Sequence, residues 1–373
     1  MIMIKKEKAK PGDSFTFPRT GHVTRNRTVL AAMTNKQSHK DGSISGQEIR
    51  WLNRRAEGGF GIVTTAAANV SEDGQGWEGE IGLYHDRQIE NFRKLVSLVH
   101  DNGGLIFAQL FHGGMRSPES LTGKIPISAS KIPCKDSSSG FTRSASLSDI
   151  NRIIQDFTLA AERCVKAGFD GVEIHGAHGY LITQFLGIKT NTRKDEWGGD
   201  INGRSKFLIE IYRSIKGSVP EHFIIGVRIS PEISDIGIIL DDSMRLAKIL
   251  RDEYIDFLHL SCWDIYKTSK HYPDDPKTLT EWFTTNITNL PTVISSGKIW
   301  TCKDAKNILK QGADLAAVAR VGIPYPDWPN NLWDKDYSPQ PGPFTVKQLK
   351  EADLGDVFID YMRNWKGFVE NGR

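Results

Sequence analysis

Between Glu173 and Gly187 the chain reads EIHGAHGYLITQFLG, which sets His175, His178 and Tyr180 within six residues. An imidazole can donate or accept at either ring nitrogen near neutral pH, and a phenol keeps its proton up to about pH 10. Grouped at one point, such side chains can grip a ligand oxygen and hold a proton donor beside it. A hydrogen-bonded structural turn uses the same residue types, so the meaning of the group depends on where the fold puts it. Other polar residues stand out against apolar runs: Gln109 in LIFAQLFH, Arg228 in FIIGVRIS, Gly297 after TVISS and Arg320 after LAAVA. A buried amide or guanidinium needs partners. Several that converge can share one polar ligand.

The elements that must position them repeat a single theme. Short β-rich apolar runs occur at Thr28–Thr34, Gly61–Ala68, Leu105–His112, Gly171–Ala177, Phe223–Ser230, Phe257–Cys262, Thr292–Gly297 and Leu315–Arg320, with helical patterning between them. Ser148–Ala167 opens on a serine and spaces Ile150, Ile153, Ile154 and Phe157 along one face; Asp86–Asn102 and Gly203–Gly217 are similar. Thr301 and Asp304 form a capping-box pattern for a helix to about Gln311. Eight alternations predict an α/β protein with eight parallel strands closed into a (β/α)8 TIM barrel. The rival, a doubly wound open sheet, calls for a G-x-G-x-x-G fingerprint, and the sequence has none. In a barrel, chemistry gathers at the C-terminal strand ends. Thr34, Gln109, the His175–Tyr180 group, Arg228, Gly297 and Arg320 all fall there or just before. Gly297, the Thr301 helix start and Arg320 together suit a phosphate.

Composition narrows the class. Forty-eight Lys+Arg against 45 Asp+Glu leave a net charge of +3 over 373 residues, too balanced for a nucleic-acid partner. No apolar run is long enough to span a bilayer, and Met1–Ile4 lacks the order of a signal peptide. Cys134, Cys164, Cys262 and Cys302 are scattered, which argues against a metal centre and for a reducing, cytoplasmic setting. The expected organisation is one barrel domain over 1–373. Residues 1–27 form a tail and barrel-base cover, with the basic Lys5–Lys10 run solvated, and 330–373 form a C-terminal extension.

HGAHGYLITQFLGIKTNTRKDEWGGDINGRSKF (His175–Phe207) resembles the long signature of the old yellow enzyme family of FMN-dependent oxidoreductases. NRTVLAAMT (Asn26–Thr34), FAQLFHGG (Phe107–Gly114), VRIS (Val227–Ser230), Ser296-Gly297 and Ala319-Arg320 follow in the family's order. The resemblance implies FMN over the barrel mouth, bordered by Ala32, Met33 and Thr34. Gln109 and Arg228 would bond the pyrimidine, and Ser296, Gly297, Lys298, Ala319 and Arg320 would lie at the phosphate. It implies reduction of the activated C=C bond of an α,β-unsaturated carbonyl compound at the expense of NAD(P)H. His175 and His178 would hold the carbonyl oxygen, flavin N5 would deliver hydride and Tyr180 would donate the proton. Lys36 and Trp263 are candidate substrate contacts. Asp195, Asn202 and Arg204 are expected in a structural polar network, and Trp333, Tyr337, Trp365 and Phe368 at the barrel base or a neighbouring subunit. Ala32 and Ala319 depart from the family's usual proline and glycine. A flavin-binding sensor or carrier, and a flavin-free phosphate-binding lyase or isomerase, stay open beside this reading, as do the physiological substrate, NADH against NADPH, and the oligomeric state.

Overall fold

Eight parallel strands close on themselves: β1 Thr28–Leu30, β2 Ile62–Asn69, β3 Leu105–Phe111, β4 Gly171–Gly176, β5 Ile224–Ile229, β6 Phe257–Ser261, β7 Thr292–Ser296 and β8 Leu315–Val318. Neighbours in sequence are neighbours in the sheet, and β8 pairs with β1 to complete the ring. The computed structural model describes residues 9–334 and 336–370. Lys5–Lys8 of the basic opening run lie outside the described residues. All eight residues of β2 and all six of β4 and β5 are buried. Strands covered on both faces carry continuous apolar runs, which is why they are readable in the sequence.

Helices ring the strands: α1 Gly46–Glu57, α2 Ile89–Asp101, α3 Leu147–Ala167, α4 Ile201–Ser218, α5 Leu240–Asp252, α6 Leu279–Asn286 and α7 Cys302–Lys310. The α7 start carries the expected Thr301–Asp304 capping box. The α3 start lies two residues earlier than the serine cap expected, because Ser146, not Ser148, accepts from Asp149 N while Asp149 bonds back to Ser146 N. One turn of 3₁₀ helix, Asp86–Gln88, precedes α2 where a single helix was expected. Among the described residues, no helix is long and apolar enough to cross a membrane.

The two ends of the barrel differ. At the N-terminal end a hairpin, Phe15–Thr16 with Val23–Thr24, inserts Phe17 beside Phe107 and Phe257. The last two rings stack at 5.4 Å, and Val29, Ile62, Ile224, Ile294 and Leu315 fill the space around them. That end is packed shut. The other end is covered by the C-terminal segment. Helix α8, Asp356–Met362, packs Phe358 against Trp51 of α1 at 5.2 Å between ring centres. The fully buried guanidinium of Arg55 donates to the carbonyls of Trp51, Gly322, Ile323 and Ala352, tying α1, the turn after β8 and this segment together. Tyr361, Met362 and Trp365 are thereby brought to the barrel mouth. Trp365 thus corrects its expected placement: it lines the chain's own cavity and not the base. Phe368 packs on Phe344, and a side chain on Gly12 would overlap the Trp333 ring.

Candidate active site

The C-terminal strand ends enclose a cavity of about 560 Å³, inside the ~300–1,000 Å³ span of small-molecule sites. Ala32, Met33 and Thr34 after β1 line one side, and Ser296 at the end of β7, with Gly297 and Lys298 beyond it and Ala319 and Arg320 after β8, line another. Arg228 of β5 and His178, Tyr180 and Trp263 from the loops after β4 and β6 are the other expected residues that line it. Three expected residues stand elsewhere. Gln109 and His175 are buried one layer below the lining. Lys36 sits on the outer rim, its ammonium 5.5 Å from the centre of the Tyr361 ring. Arg204 and Asp195 are structural: Arg204 bonds the Leu186 and Gly199 carbonyls and Asp242, and Asp195 pairs with Arg193.

Register sets the layer beneath. Gln109 lies opposite Glu173, and Arg228 lies opposite both His175 and His259. Glu173 accepts from Gln109 Nε2 on one oxygen and meets His259 Nδ1 on the other, both at 2.6 Å. His259 Nε2 lies 3.0 Å from Ser296 Oγ. Burial pushes Glu173 upward, but His259, Arg228 and Gln109 outweigh it and hold the group below the usual carboxylate range. Burial lowers His259. The pair is therefore a carboxylate and a neutral imidazole whose Nδ1–H donates, which leaves Nε2 to accept from the Ser296 hydroxyl. Arg228 Nη2 donates to Ser261 Oγ at 3.2 Å and Ser296 Oγ at 3.5 Å, and Ser261 Oγ meets His178 Nε2 at 2.7 Å. One bonded chain thus links strands β3 to β7.

The three residues that opened the sequence come together. The His175 and His178 rings lie 5.0 Å apart in an edge-on pair, and the Tyr180 ring is 5.1 Å from His175. The backbone of His178 is left-handed, φ 61°, which turns its ring away from the strand. Burial, then His178 and Arg228, pushes His175 well below its ordinary value. His178 faces the cavity, and its enclosure by the walls together with Arg228 lowers it too. Burial raises Tyr180, with Arg116 opposing. Two neutral imidazoles and a protonated phenol are the resulting states at pH 7.

Cofactor fit can be judged from the cavity alone. The Nε of Arg228 is buried without a partner. Arg320 makes no ion pair among the described residues. Gly297 lines the cavity at φ 149°, and a Cβ there would meet Asp264 N at 2.6 Å, so only glycine lets this turn pack so close to the loop after β6. Lys298 is the weakest fit, because Asp264 already holds its ammonium at 2.8 Å. An anionic, hydrogen-bonding cofactor suits these groups.

The model of the NADH:flavin oxidoreductase / NADH oxidase family matches residues 20–337. The chain belongs to this family. A probable NADH-dependent flavin oxidoreductase of Bacillus subtilis is 32% identical over 85% of this chain and 86% of its own length. The NADH:fumarate oxidoreductase of Klebsiella pneumoniae is also 32% identical, but this chain spans only 35% of its length. The old yellow enzyme homologue of Zymomonas mobilis superposes with a TM-score of 0.79 at 27% identity, covering 91% of this chain and 96% of that one. The flavin oxidoreductase described here is accordingly an old yellow enzyme family member that binds FMN and takes electrons from a nicotinamide dinucleotide. Arg228, Gly297 and Arg320 are the groups that fit the flavin's polar edge and phosphate. Sequence reading overlooked Arg116, Ser261, Glu173, His259, Tyr361 and Met362. Glu173 and His259 carried a readable signal, since each is an ionisable residue inside an apolar strand. Tyr361 and Met362 carried none, because the path of the C-terminal segment is a tertiary matter.

Proposed function

We propose that this flavin oxidoreductase reduces the activated C=C bond of α,β-unsaturated carbonyl compounds, with Tyr180 as proton donor. The clustering of His178 and Tyr180 at one wall of the cavity, with His175 packed directly behind them, carries the reading. Bound FMN supplies the hydride, having received it from NAD(P)H. The residues of the chain do the rest. Ser261 takes a hydrogen bond from Arg228, so its own hydroxyl proton is free for His178 Nε2. That arrangement leaves the His178 proton on Nδ1 as a donor. In this reading His178 and, from just behind it, His175 donate to a carbonyl oxygen on which charge builds. Both rings are neutral, so they polarise that oxygen without themselves being the acid. Tyr180 keeps its proton at neutral pH, and in this reading gives it to the α carbon. Phe111 at 4.9 Å edge-on and Trp77 at 6.4 Å fix its ring.

The test separates the two half-reactions. Holoenzyme reduced anaerobically with NADPH and then mixed with 2-cyclohexenone should reoxidise. Tyr180→Phe should slow that step ~100-fold or more and leave flavin reduction nearly unchanged. Equal slowing of both halves, or no reoxidation in the wild type, refutes the assignment.

A further inference from the structure

Four cations line the cavity, Arg116, Arg228, Lys298 and Arg320, and no Asp or Glu among the described residues lines it. Three of the four are accounted for. Arg228 is balanced from below by Glu173, Lys298 is held by Asp264, and Arg320 stands where the cofactor phosphate fits. Arg116 is left over, and it stands at the other end, beside the residues that would touch substrate. Its guanidinium carbon is 4.5 Å from the centre of the Tyr180 ring, and its Nη1 donates to the His178 carbonyl at 2.8 Å. That is the side chain's one hydrogen bond among the described residues, and it has no carboxylate partner there. Of a guanidinium's five N–H donors, most remain uncommitted.

An exposed arginine on a loose loop would mean little. This loop is pinned. Gln184, fully buried, accepts from Met115 N at 3.0 Å and donates to the Gly113 and Gly179 carbonyls, clamping the loop after β3 to the loop after β4. Gly114 between them has φ 64°, and a Cβ there would lie 2.5 Å from the Gln184 amide. The backbone that bears Arg116 is thus fixed relative to His178 and Tyr180, at almost no freedom left to lose on binding. A planar fork of donors in a partly enclosed, carboxylate-free wall is matched by a carboxylate.

We propose that Arg116 is a specificity-determining residue, and that the enzyme's substrate is an anionic conjugated carbonyl compound whose carboxylate Arg116 holds while the histidines hold the carbonyl. The inference rests on the function proposed above. The probes are 4-oxo-2-pentenoate and its methyl ester, which differ in charge, titrated by calorimetry into oxidised holoenzyme, where no turnover intrudes. Wild type should bind the acid about tenfold more tightly than the ester, and the advantage should shrink as salt is raised. Arg116→Gln should erase the advantage and leave ester affinity in place, which also reports an intact fold. No preference in the wild type, or a preference that survives Arg116→Gln, overturns the proposal. Flavin reduction by NADH and NADPH is measured on the same variant. Weakened reduction with acid binding untouched would assign Arg116 to the dinucleotide phosphates and overturn it equally. Loss of 2-cyclohexenone reoxidation in the wild type, with acid preference retained, would instead sink the ene-reductase reading and leave anion recognition standing.

Discussion

Single side chains in this barrel are kept in unusual protonation states by burial, and that has consequences for pH. His175 stays neutral in the fold, whereas in the unfolded chain it takes a proton near pH 6.5. The unfolded state therefore binds more protons below that pH, and stability falls as the solution is acidified through it. Replacing His175 with Asn should remove this contribution. The variant's loss of melting temperature between pH 8 and pH 5.5 should be smaller than the wild type's, by the equivalent of roughly 1 kcal/mol. Glu80 behaves in the opposite sense. Its carboxyl is 1% exposed, one oxygen takes the Gly76 and Trp77 N–H groups, and the other has no partner. Burial raises its pKa well above the ordinary value, so stability is lost as pH rises above about 4.5. Glu80→Gln, which mimics the protonated form, should stabilise the protein by ~1–2 kcal/mol at pH 8 and by little at pH 4.5, read from urea unfolding at each pH. Neither effect was visible in the sequence, because a Glu between Gly79 and Ile81 looks like any loop carboxylate until its burial is known.

At the level of strands and helices, far more was legible. A strand covered on both faces must be apolar throughout, and a helix on its outside must alternate, so the eight repeats announce themselves. Ends were less certain. Ser146 and Ser148 are equally good caps by type, and only the reciprocal bond to Asp149 decides between them. The cross-strand chain from Gln109 through Glu173 and His259 to Ser296 was half-seen: Gln109, Arg228 and Ser296 were singled out, while Glu173, His259 and Ser261, which join them, were not. Pairing across a parallel sheet depends on register, which side-chain pattern alone does not give. Breaking the chain at its charged centre should be costly. Glu173→Gln leaves His259 and Arg228 without their carboxylate in a buried setting, and should destabilise the apoprotein by about 3 kcal/mol in denaturant unfolding. It should also weaken FMN retention by gel filtration, through the loosened Arg228.

For the molecule as a whole, the two ends of the barrel and the path of the C-terminal segment matter most. That segment was expected as an extension whose aromatics serve the barrel base or a neighbouring subunit. Instead α8 packs through Phe358 on Trp51, and Arg55 sews the stretch before it to the turn that bears Arg320. A chain ending at Gly355 would uncover Trp51 and strip Tyr361, Met362 and Trp365 from the mouth. It should still fold as a barrel by circular dichroism, but hold FMN at least ~10-fold more weakly, since burying such aromatic and aliphatic groups contributes on the order of 1.5–3 kcal/mol each. Full FMN affinity in that truncation would show that the segment is dispensable. At the opposite pole, Phe17, Phe107 and Phe257 stopper the tube. Whatever visits the pocket must leave by the end it came through, the one that Trp365 helps to line. Visitors are therefore obliged to queue, and an excess of either one should obstruct the other's turn.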